Sequence, residues 1–290
     1  MERRKKIGVG MVLLGATLWG SSSNSVEYLM VDQHFTWSAI LFWRMVFTGI
    51  SFLGISRFQK QDLLAPLKQD GKWMMKFILL GLYLMQVTFF KAIYYSNAAT
   101  ATVLQYTMPA ILLLMYLVKD WRLPTRREVV VLALLGTALI ATKGQGAALA
   151  VSGEALFYGI LGAFGMAFYT AYAAVLLKKY SCFLILGWGS LGNALLLQLF
   201  HHPTLEGAVL DIHTAAAFGI LFVLGTLVAY YVYLESTKYI PPAETGALAA
   251  FEPLSAYFFS VVVMGNRVGP VELVGALCII VMVCVLTRND

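Results

Sequence analysis

A chain of 290 residues that is 60% hydrophobic and 12% charged, with a mean hydropathy of +0.76, is too apolar for an ordinary soluble domain. Spanning a bilayer takes about 20 mostly apolar residues, so ten spans would use about 210 and leave no room for a separate soluble domain. The formal net charge of +6 is spread along short connections near helix ends, where it orients a membrane protein and meets anionic lipid head groups. Nucleic-acid binding is therefore not the reading of the basic balance.

The amino terminus, Glu2-Arg3-Arg4-Lys5-Lys6, precedes an apolar run from about Ile7 to Val31. That run is too long for a signal-peptide core and lacks a small-x-small cleavage site, so it reads as an uncleaved first span. Hydropathy then predicts ten spans: 8–30, 37–57, 73–95, 98–118, 128–143, 154–177, 182–200, 215–237, 243–264 and 268–287. With the amino terminus in the cytoplasm, 17 of the Lys and Arg residues fall on the cytoplasmic side. The other side receives Lys143 and Arg267, and only Arg44 and Lys91 remain inside spans. This is the charge bias of the positive-inside rule, and it places both termini in the cytoplasm.

Two stretches 144 positions apart resemble one another. Leu80-Gly81 answers Leu224-Gly225, and Tyr95, Ala99, Leu104 and Pro109 fall opposite Tyr239, Ala243, Leu248 and Pro253. A second register pairs Gly10, Trp19 and Val26 with Gly159, Phe168 and Val175. The expected fold is all-α: ten transmembrane helices as two five-helix repeats, 1–145 and 146–290, around a central cavity. Five spans per copy is an odd number, so the second copy is inverted, the architecture of transporters that alternate access around a midplane site.

Polar groups at membrane depth are tolerated mainly where they face protein or a water-filled cavity, so they map the expected pathway. In the first span, Ser21-Ser22-Ser23-Asn24-Ser25 covers more than one helical turn. It permits close helix packing, cavity lining by Asn24 with one or two serines, or local unwinding. In the second span, Arg44 either snorkels outward or faces inward and needs an anion. Mid-way along the ninth, Glu252 precedes Pro253 and suits either an ion pair with Arg44 or Lys91, or a substrate or proton site. Lys91 and Glu235 occupy equivalent repeat positions and suit either paired gates or ordinary interface anchoring. Tyr169 and Tyr172, three apart, share one face of the sixth span and, with Tyr230 or Tyr233, make either an aromatic pocket or core packing. Gln86, Asn193, Gln198 and Thr245 complete the expected polar lining, while Glu154 and Glu244 suit helix first turns. The expected substrate-binding set is thus Asn24, Arg44, Gln86, Lys91, Tyr169, Tyr172, Tyr230 and Glu252.

Cys182, Cys278 and Cys284 lie in or beside apolar segments without disulfide or metal spacing, and the four histidines fall in loops. Neither a metal nor a cofactor is expected, and no Gly-x-x-x-x-Gly-Lys phosphate loop precedes a lysine.

With Leu18-Trp19-Gly20-Ser21, Phe42-Trp43-Arg44, the Ala99–Pro109 run, Phe251-Glu252-Pro253-Leu254, and Gly275 echoing Gly136, the chain resembles the drug/metabolite transporter superfamily. Specifically, it resembles the ten-helix EamA-type members. The resemblance covers essentially the whole chain. It implies a basket of ten helices, outermost spans five and ten, and export of amino acids or other small metabolites. Many such relatives carry an acidic residue just after spans four and nine; Asp120 stands at the first place, but Asn266 at the second. The expected protein is therefore a secondary transporter of the cytoplasmic membrane, functional as a monomer, its partners a small-molecule substrate, lipids and a coupled proton. An uncoupled facilitator or importer, or an intramembrane lipid-modifying enzyme, is the alternative.

Overall fold

Helices start where the sequence supplies a side-chain acceptor. Thr36, Ser152, Ser181 and Asp211 each accept the N–H three residues on, at 3.2, 3.1, 3.3 and 2.7 Å. Thr125 and Glu128 form a reciprocal capping box. The computed structural model describes residues 2–252 apart from 97, 106, 122 and 143–151, together with 254, 255, 258, 277, 278, 281 and 285. All regular structure among the described residues is helical. We label the helices α1 (Glu2–Val31), α2 (Trp37–Phe58), α3 (Ala65–Tyr95), α4 (Ala98–Gln105), α5 (Met108–Asp120) and α6 (Arg126–Thr142). The second half holds α7 (Gly153–Leu176), α8 (Cys182–His201), α9 (Ile212–Ser236) and α10 (Pro242–Ala249). Of these, α2, α3, α7, α8 and α9 are long and apolar enough to cross a membrane.

Two departures from the expected spans have local causes. The third helix begins at Ala65, earlier than expected, because an amphipathic Lys-bearing segment precedes its apolar part; Asp70 (φ −127°, ψ 33°) kinks that segment. The expected span 98–118 is split into α4 and α5, with Pro109 accommodated in the first turn of α5, where its missing N–H costs nothing. Most of the expected tenth span, with Arg267, Asn266 and Cys284, lies outside the described residues, as does Pro253.

Within α3 and α9 the backbone loosens into π-helical stretches, Phe77–Tyr83 and Ile220–Val228, and each falls over one Leu-Gly pair of the sequence repeat. The neighbours of these stretches exchange in the same way. Helix α9 packs along α1, α3 packs along α7, and α2 packs against α8. Glycine allows the approach in both cases: a methyl at Gly225 would overlap the Ser22 side chain of α1, and one at Gly81 would lie 2.9 Å from the Tyr169 Cα of α7.

The two ends of the bundle are held differently. At one end, the Lys91 ammonium lies 5.6 Å from the Trp37 ring centroid and 4.9 Å from that of Tyr158, whose ring stacks on Tyr95. At the other, the Asp70 carboxylate accepts from Lys179 Nζ (2.9 Å) and from the Tyr180 hydroxyl (2.6 Å) in the connection after α7. Burial first, then the hydrogen bond to Asp70 and its charge, push the Tyr180 phenol up to about 12. Lys5 pairs with Glu244 at 3.3 Å, so the carboxylate in the first turn of α10 also ties α10 to α1.

Candidate functional site

The site grows from α2. Arg44 sits one turn before Thr48, whose hydroxyl donates to the Arg44 carbonyl at 2.6 Å, and the guanidinium is directed inward with only 5% of the residue exposed. Its Nε donates to Thr226 Oγ1 at 2.6 Å, one Nη to Gln86 Oε1 at 3.3 Å and the other to the Gly225 carbonyl at 3.2 Å. The guanidinium carbon also lies 5.2 Å from the centroid of the Tyr230 ring. A guanidinium stays protonated in proteins, so this is a buried cation whose three hydrogen-bond acceptors among the described residues are all neutral.

Gln86 and Tyr230 stand 144 positions apart, at equivalent places of the two repeats, and meet directly: Gln86 Nε2 donates to the Tyr230 hydroxyl. Trp19 packs edge-on against Tyr230 at 5.6 Å and, tilted, against Tyr233 at 4.8 Å. Its buried indole N–H has no acceptor among the described residues. Glu252, 7% exposed, reaches the same space from beyond α10. Trp19, Arg44, Gln86, Tyr230 and Glu252, together with Ser22, Ser23 and apolar side chains such as Phe89 and Met166, line a cavity of about 590 Å³ counted out to its mouth, open solvent included.

Of the eight expected site residues, Arg44, Gln86, Tyr230 and Glu252 converge on this cavity. Tyr169 lies just behind it, fully buried, its ring 6.1 Å from that of Tyr230 and stacked on Phe77. Tyr172 is elsewhere, 5.8 Å from Trp73 and stacked on Phe168. Lys91 lies at the bundle end described above, and the side chain of Asn24 lies outside the described residues. Gln198 is exposed, whereas Asn193 and Thr245 are buried away from the cavity without partners among the described residues. Glu235, the repeat mate of Lys91, pairs with Lys238 of its own chain segment at 2.8 Å.

The serine run proves to be regular helix. Ser21, Ser22 and Ser23 each donate to the carbonyl three residues back, at 2.9, 3.1 and 3.0 Å, while Ser22 also takes the close approach of Gly225. Thr226 and the Gly225 carbonyl were not anticipated. Thr226 had one signal, a hydroxyl in an otherwise apolar stretch, but a backbone acceptor leaves none. Among the described residues no cluster of three or more His, Cys, Asp or Glu could hold a metal; His201 instead meets the Trp37 ring and Tyr83.

The profile of the EamA-like transporter family matches the chain twice, over residues 6–142 and 153–288. The uncharacterized inner membrane transporter YicL of Salmonella typhimurium (strain LT2) is 30% identical over 295 residues, 98% of this chain and 96% of that protein. A protein solved by crystallography superposes with a TM-score of 0.77 over 98% of this chain and 96% of its own, at 17% identity, a likeness of fold alone. The chain is therefore a multi-pass protein of the cytoplasmic membrane carrying two copies of one transporter unit, and it belongs to the EamA-like transporter family.

Proposed function

We propose that the protein is a secondary active transporter that exports small metabolites such as amino acids by alternating access. In this reading ten helices form two inverted repeats, 1–145 and 146–290, with both termini cytoplasmic. Support for the inversion comes from the exchange of packing partners between copies, α9 on α1 and α3 on α7, around the self-paired helices α2 and α8.

The observation that carries the substrate class is Arg44. A desolvated guanidinium held, among the described residues, by neutral acceptors attracts an anionic group, and the Trp19 N–H in the same lining, without an acceptor among the described residues, offers a second donor. Glu252 on the same cavity supplies the opposite charge, for a substrate ammonium or a coupled proton. A site with a fixed cation, a carboxylate and apolar, aromatic walls suits a zwitterion with an apolar side chain.

The test is counterflow in proteoliposomes across a panel of labelled amino acids, with and without an imposed pH gradient. Saturable exchange of one or more, stimulated by the gradient, is the expected result. No exchange of any panel member by folded protein would overturn the amino-acid reading.

A further inference from the structure

The internal duplication lets each site residue be compared with its counterpart in the other copy. The N-caps Thr36 of α2 and Ser181 of α8 are 145 positions apart, so Arg44 corresponds to Gly189. In α3 and α9 the Leu-Gly pairs are 144 apart, so Thr226 corresponds to Leu82. Space agrees with sequence: a methyl on Gly189 would lie 2.7 Å from Phe77 Cε1 and 3.4 Å from Leu82 Cδ2. Position 189 therefore faces position 82 as position 44 faces position 226. Arginine with threonine on one side is answered by glycine with leucine on the other.

The threonine has one defined geometry. Thr226 is fully buried, and its hydroxyl donates to the Leu221 carbonyl, five residues back in the π-helical stretch, at 2.7 Å. With its proton committed there, the oxygen presents a lone pair to Arg44 Nε at 2.6 Å. The Gly225 carbonyl takes the far side of the same guanidinium. A long, rotatable side chain is thereby held at two points by a single turn of α9.

From this pairing we infer that Thr226 is a positioning residue that aims Arg44 at the anionic group of the substrate. The anionic end of the substrate is then bound only on the α2–α9 side of the cavity, because the equivalent α8–α3 side has lost both members of the pair. This inference rests on the proposed transport of zwitterions for its functional consequence, but not for its geometric one. Without the Thr226 acceptor, Arg44 keeps its charge and loses its direction, so recognition of a carboxylate weakens while the fold and the apolar walls persist.

The test compares wild type with Thr226→Val, nearly isosteric but without the hydroxyl, and Thr226→Ser, which restores it. The first readout needs no substrate: deuterium exchange of the Arg44 Nε–H, followed by 15N–1H correlation in lipid nanodiscs and assigned by its loss in Arg44→Lys. Exchange should speed up at least tenfold in Thr226→Val and return to near the wild-type rate in Thr226→Ser. The second is transport of labelled L-leucine in competition with unlabelled L-leucine or isoamylamine, the same skeleton without its carboxylate. The preference for leucine over the amine should fall about tenfold in Thr226→Val, the scale of one hydrogen bond to a charged group, with the maximal rate within about twofold. Equal exchange rates in all three proteins, or an unchanged preference in folded Thr226→Val, would overturn the inference. Failure of wild type to carry leucine, with the exchange result as expected, would count against the amino-acid reading and leave the positioning role standing.

Discussion

The two repeats share a scaffold and differ in chemistry. The contact that α9 makes with α1 and α2 holds Arg44, Thr226, the Gly225 carbonyl and Ser22, and borders the cavity. The corresponding contact of α3 with α7 and α8 holds Gly189, Leu82, Phe77 and Tyr169, packed and apolar. The same holds across the cavity, where Glu252 of the second copy is matched, 144 positions earlier, by Met108 of the first, and both line it. Among the described residues that line the cavity, Gln86 and its repeat mate Tyr230 are both polar, and these two bond to each other. In the proposed mechanism, duplication supplies paired geometry for two conformations, while substitution gives the substrate a single orientation.

The largest expected effect breaks this comparison at its charged member. Arg44→Met makes the α2–α9 contact as apolar as its counterpart and should lower amino-acid counterflow by more than about 100-fold, since a buried charge-assisted contact is lost. The apparent melting temperature should hold or rise, because an apolar side chain of similar length needs no counter-charge; counterflow and a thermal-shift series on purified protein measure both. Glu252→Gln makes position 252 neutral like Met108. It should abolish pH-gradient-driven uptake while counterflow stays within about threefold, the separation expected if the carboxylate carries the coupled proton; equal loss of both would assign Glu252 to substrate binding alone.

A smaller effect sharpens the scaffold side. Gly225→Ala and Gly81→Ala each force a methyl into a helix contact and should cost about 1–3 kcal/mol as overpacking. The cost at Gly225 should be the greater because the overlap is with the Ser22 Cβ, which no rotamer change can move, as well as with its hydroxyl. Paired thermal-shift curves read the difference. The smallest effect lies at the bundle end, where the ion pair is solvent-facing and screened. Asp70→Asn should leave counterflow within about twofold and bring the Tyr180 phenol down from about 12, followed by 13C-tyrosine chemical shift against pH. Replacing the carboxylate by an amide removes its charge and weakens its hydrogen bond to Tyr180, and leaves burial.

Three of the eight expected site residues could be read directly because a polar side chain inside an apolar run has few places to go. Arg44, Gln86 and Glu252 are costly in lipid, so the bundle interior was the physical expectation for each. The tyrosines carried no such constraint. Tyr169 and Tyr172 share a helix face, but the face runs past different neighbours along its length, Phe77 and Tyr233 at one level and Trp73 at the next. Spacing names a face and leaves the neighbour open. Lys91 and Glu235 are repeat mates by sequence, yet one is held by aromatic rings of other helices and the other by Lys238 three residues on, because a long charged side chain takes whichever partner lies within reach.

By itself the sequence determined the class, the apolar helices and most of their limits, the duplication and the identity of the buried charges. Each of these is a local or one-dimensional property: hydropathy over a span, a capping hydroxyl at a helix start, a recurrence at a constant offset. Tertiary structure alone decided what Arg44 touches. Its partners come from positions 86, 225 and 226 on two other helices, and one of them is a backbone carbonyl in a π-helical stretch, a group that every residue type carries and no sequence pattern marks.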